Sequence, residues 1–336
     1  MNSPAKNTDL VSKIFSVTED NFTAIALEIF RYQYIHNPVY HQYCNTLHVD
    51  IDKINAIRVI PFLPISFFKT HTIATTDFIP EAIFESSGTT GTINSKHLVK
   101  ELNLYRESFT KGFEFFYGKA KDWCILALLP SYLERDNSSL VMMADELIKQ
   151  TEHPLSGFYL NDQQELFNTL QQLEQQGQKT ILLGVTFALL YFAEQFPMPF
   201  WHTIIMETGG MKGRRKEITR QEVHEILCTG FQLPAIQSEY GMTELLSQAY
   251  SKANGLFTCP PWMKILIRDE DDPLTIHATT RDNPITGAIN IIDLANIYSC
   301  SFIATDDAGK LYPNKSFEVL GRLDNSDIRG CSLMSL

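Results

Sequence analysis

The chain has 336 residues, with 28 Lys and Arg against 39 Asp and Glu for a net charge of −11, and it is 44% hydrophobic with 22 Phe and 13 Tyr. So much apolar and aromatic side chain excludes a disordered polymer, and the acidic balance excludes a protein that works by neutralising a nucleic-acid backbone. Six scattered cysteines without a CxxC pair argue against a zinc site or a disulfide framework and for reduced thiols in a cytoplasmic protein.

The opening MNSPAKNTDL has neither the basic start nor the apolar run of a secretory signal. From Glu19 to Tyr43, Phe22, Ile25, Ala26, Ile29, Phe30 and Tyr34 recur at spacings of three and four and predict an amphipathic helix. Pro61 and Pro64 keep the following IRVIPFLPISFFKTHTI irregular. Leu104 to Phe116 reads as a helix rich in aromatics. WCILALLP (123–130) and KTILLG (179–184) are short apolar runs of the kind buried on both faces of a parallel sheet. The longest apolar stretch, Ile181 to Ala193, falls short of the roughly 20 residues a membrane span needs. Helices are predicted over Ser139–Gln150 and Asp162–Gln176, after Thr186 as a cap, and after Thr219, whose capping box with Glu222 opens a helix running to Cys228. FWHTIIMETGG gives a strand ending at Glu207, and AIQSEYG gives another.

Strand and helix thus alternate from about Trp123 to Tyr250, which predicts an α/β fold with a mostly parallel sheet flanked by helices. Beyond Asn254 the texture changes to KILIRD, LTIHAT, GAINIID and FEVLGRL, short strands for a small antiparallel β subdomain. The expected organisation is an α/β domain over 1–254, with the N-terminal helical segment, and a β subdomain over 255–336. His36, His41 and His48 do not have the spacing of a helical metal site, and Asp269 to Asp272 reads as a solvated hairpin tip.

Three glycine-containing loops carry the candidate chemistry. FESSGTTGTINSKH (84–97) has glycines and hydroxyls able to converge backbone N–H groups on phosphate oxygens, although it matches neither a Walker A loop nor a nucleophile elbow. ETGGMKG (207–213) and SEYGMTE (238–244) each follow a strand, and loops leaving the carboxyl ends of successive strands converge on one crevice in open α/β sheets. Paired glycines admit a flat ligand, Tyr240 offers a ring, Thr243 a hydroxyl and Glu244 a carboxylate for a metal bound to phosphate. Each loop alone also reads as an ordinary glycine turn.

SSGTTG (86–91), TGG (208–210), YGMTE (240–244), TDDAG (305–309) and GRLD (321–324) stand in the order of the motifs of the adenylate-forming superfamily, which the chain resembles. With IPFLPISFFK (60–69), LLPSYLERDNSSL (128–140), ETGGMKG and the terminal RGC, it is most similar to the acyl-protein synthetases of bacterial bioluminescence operons, over about residues 55 to 331. The resemblance implies ATP and Mg²⁺ as cofactors and activation of a fatty or other carboxylic acid as acyl-AMP. It implies that Ser86, Ser87, Gly88, Thr89, Thr90 and Gly91 hold the phosphates, and that Gly209, Gly210, Tyr240 and Gly241 line adenine. It gives Thr243 the α-phosphate, Glu244 the Mg²⁺, Asp306 or Asp307 (Asp307 by spacing from Gly309) the ribose, Arg322 a charge facing the nucleotide, and Cys331 the acyl group.

Relative to full-length adenylate-forming enzymes, no C-terminal lid and no lid lysine are expected, and Ser95 and Lys96 sit where acyl-CoA ligases carry a loop lysine. His97 and Ser131 could approach the acyl carboxylate, Arg329 could lower the Cys331 thiol pKa, and the stretches 113–116 and 141–143 could line an acyl tunnel. Expected partners are the acid and a reductase, a carrier protein or coenzyme A as acceptor, with no nucleic acid and no membrane span. The alternatives are a ligase passing the acyl group to coenzyme A or a carrier, and a catalytically inactive nucleotide-binding partner subunit.

Overall fold

A computed structural model of the chain describes residues 5–86, 93–129, 137–209, 218–278 and 282–323. Two compact units are each assembled from separate stretches: Met1–Phe109 with Met242–Ser247 and Cys259–Phe317, and Thr110–Gly241 with Gln248–Thr258 and Glu318–Leu336. The change of texture at 254 lies near one of several crossings between them. A single boundary separating 1–254 from 255–336 does not describe this division, because the segment up to Phe109 groups with the late antiparallel strands.

The first unit begins with helices α1 (Ala5–Ile14), α2 (Glu19–His36) and α3 (Pro38–Thr46). The sequence reads one helix through Tyr43, but Pro38 has no N–H with which to continue it and instead occupies the first turn of α3. Asn37 ends α2 and caps α3, accepting from the Tyr40 N–H at 3.0 Å. The buried face of α2 is the expected Phe22, Ile25, Ala26, Ile29 and Phe30, completed by Gln33 rather than Tyr34. Gln33 is buried because the turn 296–301 uses its whole amide: Nε2 lies 2.9 Å from Asn296 O and 3.0 Å from Ile297 O, while Oε1 accepts from Ser301 N at 3.0 Å. Buried polar groups persist where such bonds replace water.

Strand β1 (Leu63–Pro64) pairs in parallel with Ile303 and Ala304, and α4 (Phe67–Thr70) follows. The hairpin β2 (Ala82–Glu85) and β3 (Lys96–Val99) forms a small antiparallel sheet of its own, leading into α5 (Leu102–Tyr117).

The second unit carries β4 (Cys124–Leu128), α6 (Ser139–Thr151), β5 (Gly157–Phe158), α7 (Gln163–Gln176), β6 (Thr180–Val185), α8 (Thr186–Gln195), β7 (Thr203–Thr208), α9 (Arg220–Phe231), β8 (Gln237–Tyr240), β9 (Ala249–Ser251) and β10 (Phe257–Thr258). Every residue of β4 and β6 is buried, as a strand covered by helices on both faces requires. β5, β4, β6, β7 and β8 are parallel neighbours in that order, and β9 and β10 then continue the sheet antiparallel. The Thr219–Glu222 capping box forms as read. Thr186 does not cap α8: Val185 holds that position without a side-chain bond, and Thr186 turns its hydroxyl to β7.

In the first unit, β11 (Met263–Arg268), β12 (Ile285–Asp293) and β13 (Phe302–Leu311) form an antiparallel ladder. LTIHAT contributes one isolated bridge, Ile276 to Arg268, instead of a strand. β14 (Phe317–Arg322) neighbours β10.

Candidate active site

In the second unit the sheet order places the ends of β7 and β8 side by side, with Glu207 paired to Ser238 and Thr208 to Glu239. Side chains alternate along a strand, so Glu207 and Ser238 share one face while Thr208 and Glu239 share the other. Both carboxylates are buried and both have hydroxyl donors, Thr186 for Glu207 and Thr208 for Glu239. Burial pushes Glu239 up to about 7, helped by the negative charge of Glu207 and opposed by the Thr208 bond. Burial also raises Glu207, opposed by the Arg220 charge and by its hydroxyl donors. Arg220 opens α9, places Nη1 3.3 Å from Val319 O and lies 5.2 Å above the Phe257 ring.

Gly209 follows directly, with φ +74° and no described atom within 4 Å of where a Cβ would stand. That backbone conformation favours glycine. Its carbonyl lies 3.0 Å from the Thr186 hydroxyl. Tyr240 ends β8 with its ring 5.8 Å from that of Phe257. At Gly241 a Cβ would press on the Glu239 carboxylate, which would have to shift. Arg322 closes β14 and is half-buried.

In the first unit, Thr243 and Glu244 sit on the turn 242–247. Glu244 is only 6% exposed, and the turn's main chain is held by three buried side chains from other elements. His97 on β3 lies with Nδ1 2.8 Å from Thr243 O. Asn296 Nδ2 donates to Glu244 O at 2.7 Å. Asp293 accepts from Leu246 N at 2.9 Å, Ser247 N at 3.0 Å and the Ser247 hydroxyl at 2.6 Å. Burial drives the His97 imidazole down to about 4, so it is neutral and Nδ1 carries the proton that Thr243 O accepts. Burial raises Asp293 to about 6 against its four donors, the fourth being Ala295 N. Ser247 is further tied to Ser108 and to Trp262 Nε1.

Asp306 and Asp307 are consecutive on β13, Asp307 buried and Asp306 half-buried. Strand alternation turns them to opposite faces. Arg268, also buried, bonds Ile289 O, Asn290 Oδ1 and Thr305 O beside them at 2.7 to 2.9 Å. Ser86 closes the base of its loop, its hydroxyl accepting from Ser95 N at 2.9 Å and its N–H donating to Ser95 O at 3.1 Å. Ser87, Gly88, Thr89, Thr90, Gly91, Gly210, Ser131, Arg329 and Cys331 lie outside the described residues.

The sequence profile of the family described as "Acyl-protein synthetase, LuxE" matches residues 10–335. The chain belongs to the acyl-protein synthetase family. No curated protein sequence is significantly similar to it. Its fold is that of the N-terminal domain of adenylate-forming enzymes. It is similar to ATP-bound MatB from Rhodopseudomonas palustris at 15% identity and a TM-score of 0.52, over 72% of this chain and 48% of that one. It is also similar to an ATP-bound RpMatB–BxBclM chimera at 16% identity and 0.52, over 75% and 50%. The chain therefore spans about half the length of these solved relatives.

The described residues contain no helix long and apolar enough to cross a membrane, and the described cysteines are free thiols. Among the expected site residues, Thr243, Glu244, Asp306, Asp307 and Ser86 belong to the first unit, and Gly209, Tyr240, Gly241 and Arg322 to the second. Sequence reading missed Glu207, Glu239, Arg220, Asp293 and Asn296 as functional neighbours. For Arg220 a signal existed: the capping box put it at the first turn of α9, seven residues beyond the end of the ETGGMKG segment.

Proposed function

We propose that the protein activates a carboxylic acid, in this reading a long-chain fatty acid, with ATP and passes the acyl group to a protein thiol. An acid oxygen attacks the α-phosphorus, the bond to the β-phosphate breaks and pyrophosphate leaves, giving acyl-AMP. A thiolate then attacks the acyl carbon, the bond to phosphate breaks and AMP leaves, with the thiol proton passing to solvent. The family match along nearly the whole chain carries this reading. The carboxylate of Glu244 suits a hard cation such as Mg²⁺, which would offset phosphate charge, the hydroxyl of Thr243 suits an α-phosphate oxygen, and Gly209, which has no side chain, suits the flat face of adenine. Asp307, Arg322 and the loop 86–91 keep the ribose and phosphate roles of the resemblance, and Cys331 that of acyl acceptor. A reductase or carrier protein would take the acyl group onward.

The test is carboxylate-dependent exchange of pyrophosphate with ATP across a panel of fatty acids, followed by labelling with radioactive fatty acid. Exchange with hydroxylamine-sensitive labelling that disappears in Cys331→Ser is expected. Equal labelling of wild type and variant removes Cys331 from the scheme, acyl transfer to added coenzyme A in its place selects the ligase alternative, and ATP binding without exchange leaves a nucleotide-binding subunit.

A further inference from the structure

The turn bearing Thr243 and Glu244 is fixed through its main chain by groups far away in sequence. His97 holds the carbonyl of Thr243, Asn296 that of Glu244, and Asp293 the N–H groups of Leu246 and Ser247. All three side chains are buried, His97 at 1% exposure and the other two at none, so no water competes for these bonds. They are also specific. The Asn296 Oδ1 is buried without a partner among the described residues, an unmet acceptor at a position whose amide hydrogen goes to Glu244 O. The His97 ring packs edge-on against Phe68 at 5.8 Å between centroids while its Nδ1 reaches Thr243 O at 2.8 Å.

We propose that His97, Asn296 and Asp293 form a buried clamp that sets where Thr243 and Glu244 present their side chains, and that they are positioning residues for the activation step. The inference rests on the ATP-dependent reading above for its kinetic consequence, but not for the clamp itself. None of the three needs to touch substrate. A turn displaced by the loss of one bond moves a hydroxyl and a carboxylate together, and a displacement of about 1 Å at a reacting centre costs about 100-fold in rate.

His97→Phe keeps a ring against Phe68 and deletes the donor, whereas His97→Asn returns an N–H near the position of Nδ1. In pyrophosphate exchange, His97→Phe is expected to lower kcat by about 10- to 100-fold with KM for ATP changed by less than about 3-fold, and His97→Asn is expected to recover most of kcat. Amide hydrogen exchange of the peptide covering 243–247, measured on the same proteins, should quicken in His97→Phe and return toward wild type in His97→Asn. A wild-type kcat in His97→Phe, a loss matched by the fraction unfolded, or an Asn variant no better than Phe overturns the positioning role. Should the wild type show no exchange, the proposed function fails, and the clamp stands or falls on the amide protection alone.

Discussion

Replacing Glu239 by Gln isolates one buried charge while keeping an oxygen for the Thr208 hydroxyl. The wild-type carboxyl moves from an ordinary 4.5 to about 7 in the folded protein, chiefly through burial. The folded state therefore holds its proton more tightly than the unfolded chain does. Its contribution to stability is fully present below about pH 4.5 and is lost as pH rises through about 7. With one pKa unit equivalent to about 1.4 kcal/mol, the loss between about pH 5.5 and about pH 8 amounts to about 2 kcal/mol. Gln has no charge to bury, so its stability should lack that decline. Chemical denaturation of wild type and variant at both pH values gives four free energies, and the difference of differences cancels the titrating groups that are not coupled to Glu239, leaving Glu239 together with its charged neighbour Glu207. A variant curve that declines in parallel with wild type would show that Glu239 titrates normally and that its burial is not as described.

Two further substitutions test local geometry. Gly209→Ala meets open space but must hold φ near +74°; it should cost about 1–2 kcal/mol of stability in the same denaturation assay, and an unchanged midpoint would show that the residue does not adopt that conformation in solution. Thr219→Ala removes the hydroxyl from the capping box of α9 and should cost about 1 kcal/mol, while Thr219→Ser should restore it.

What the sequence made legible was local. Cys124–Leu128 and Thr180–Val185 could be read as strands because burial on both faces leaves only apolar side chains, and the Thr219–Glu222 box could be read because its partners are three residues apart. Pro38 was passed over because the apolar periodicity runs on across it. β13, the strand of Phe302–Leu311, was hidden by Asp306, Asp307 and Gly309, which look like a loop until neighbouring strands supply their backbone partners. LTIHAT alternates like a strand yet makes a single bridge. The motifs YGMTE and TDDAG located side chains for chemistry. What holds them was out of reach, because His97, Asp293 and Asn296 meet residues 243–247 only after the chain has folded; His97 stood out for a contact with the acyl carboxylate and not for its bond to Thr243 O, and nothing local distinguishes Asp293 and Asn296 from ordinary polar positions.

Gln33 carries a consequence for how the protein is made. Its partners Asn296 and Ser301 emerge 263 and 268 residues later. At a synthesis rate of about 5–20 residues per second, α2 waits on the order of tens of seconds for the turn that satisfies its buried amide. Over the same interval the Phe30 ring lacks Phe302, which it meets at 6.2 Å between centroids, and Phe22 lacks Lys264. The first helices made are thus completed by residues from the last part of the chain.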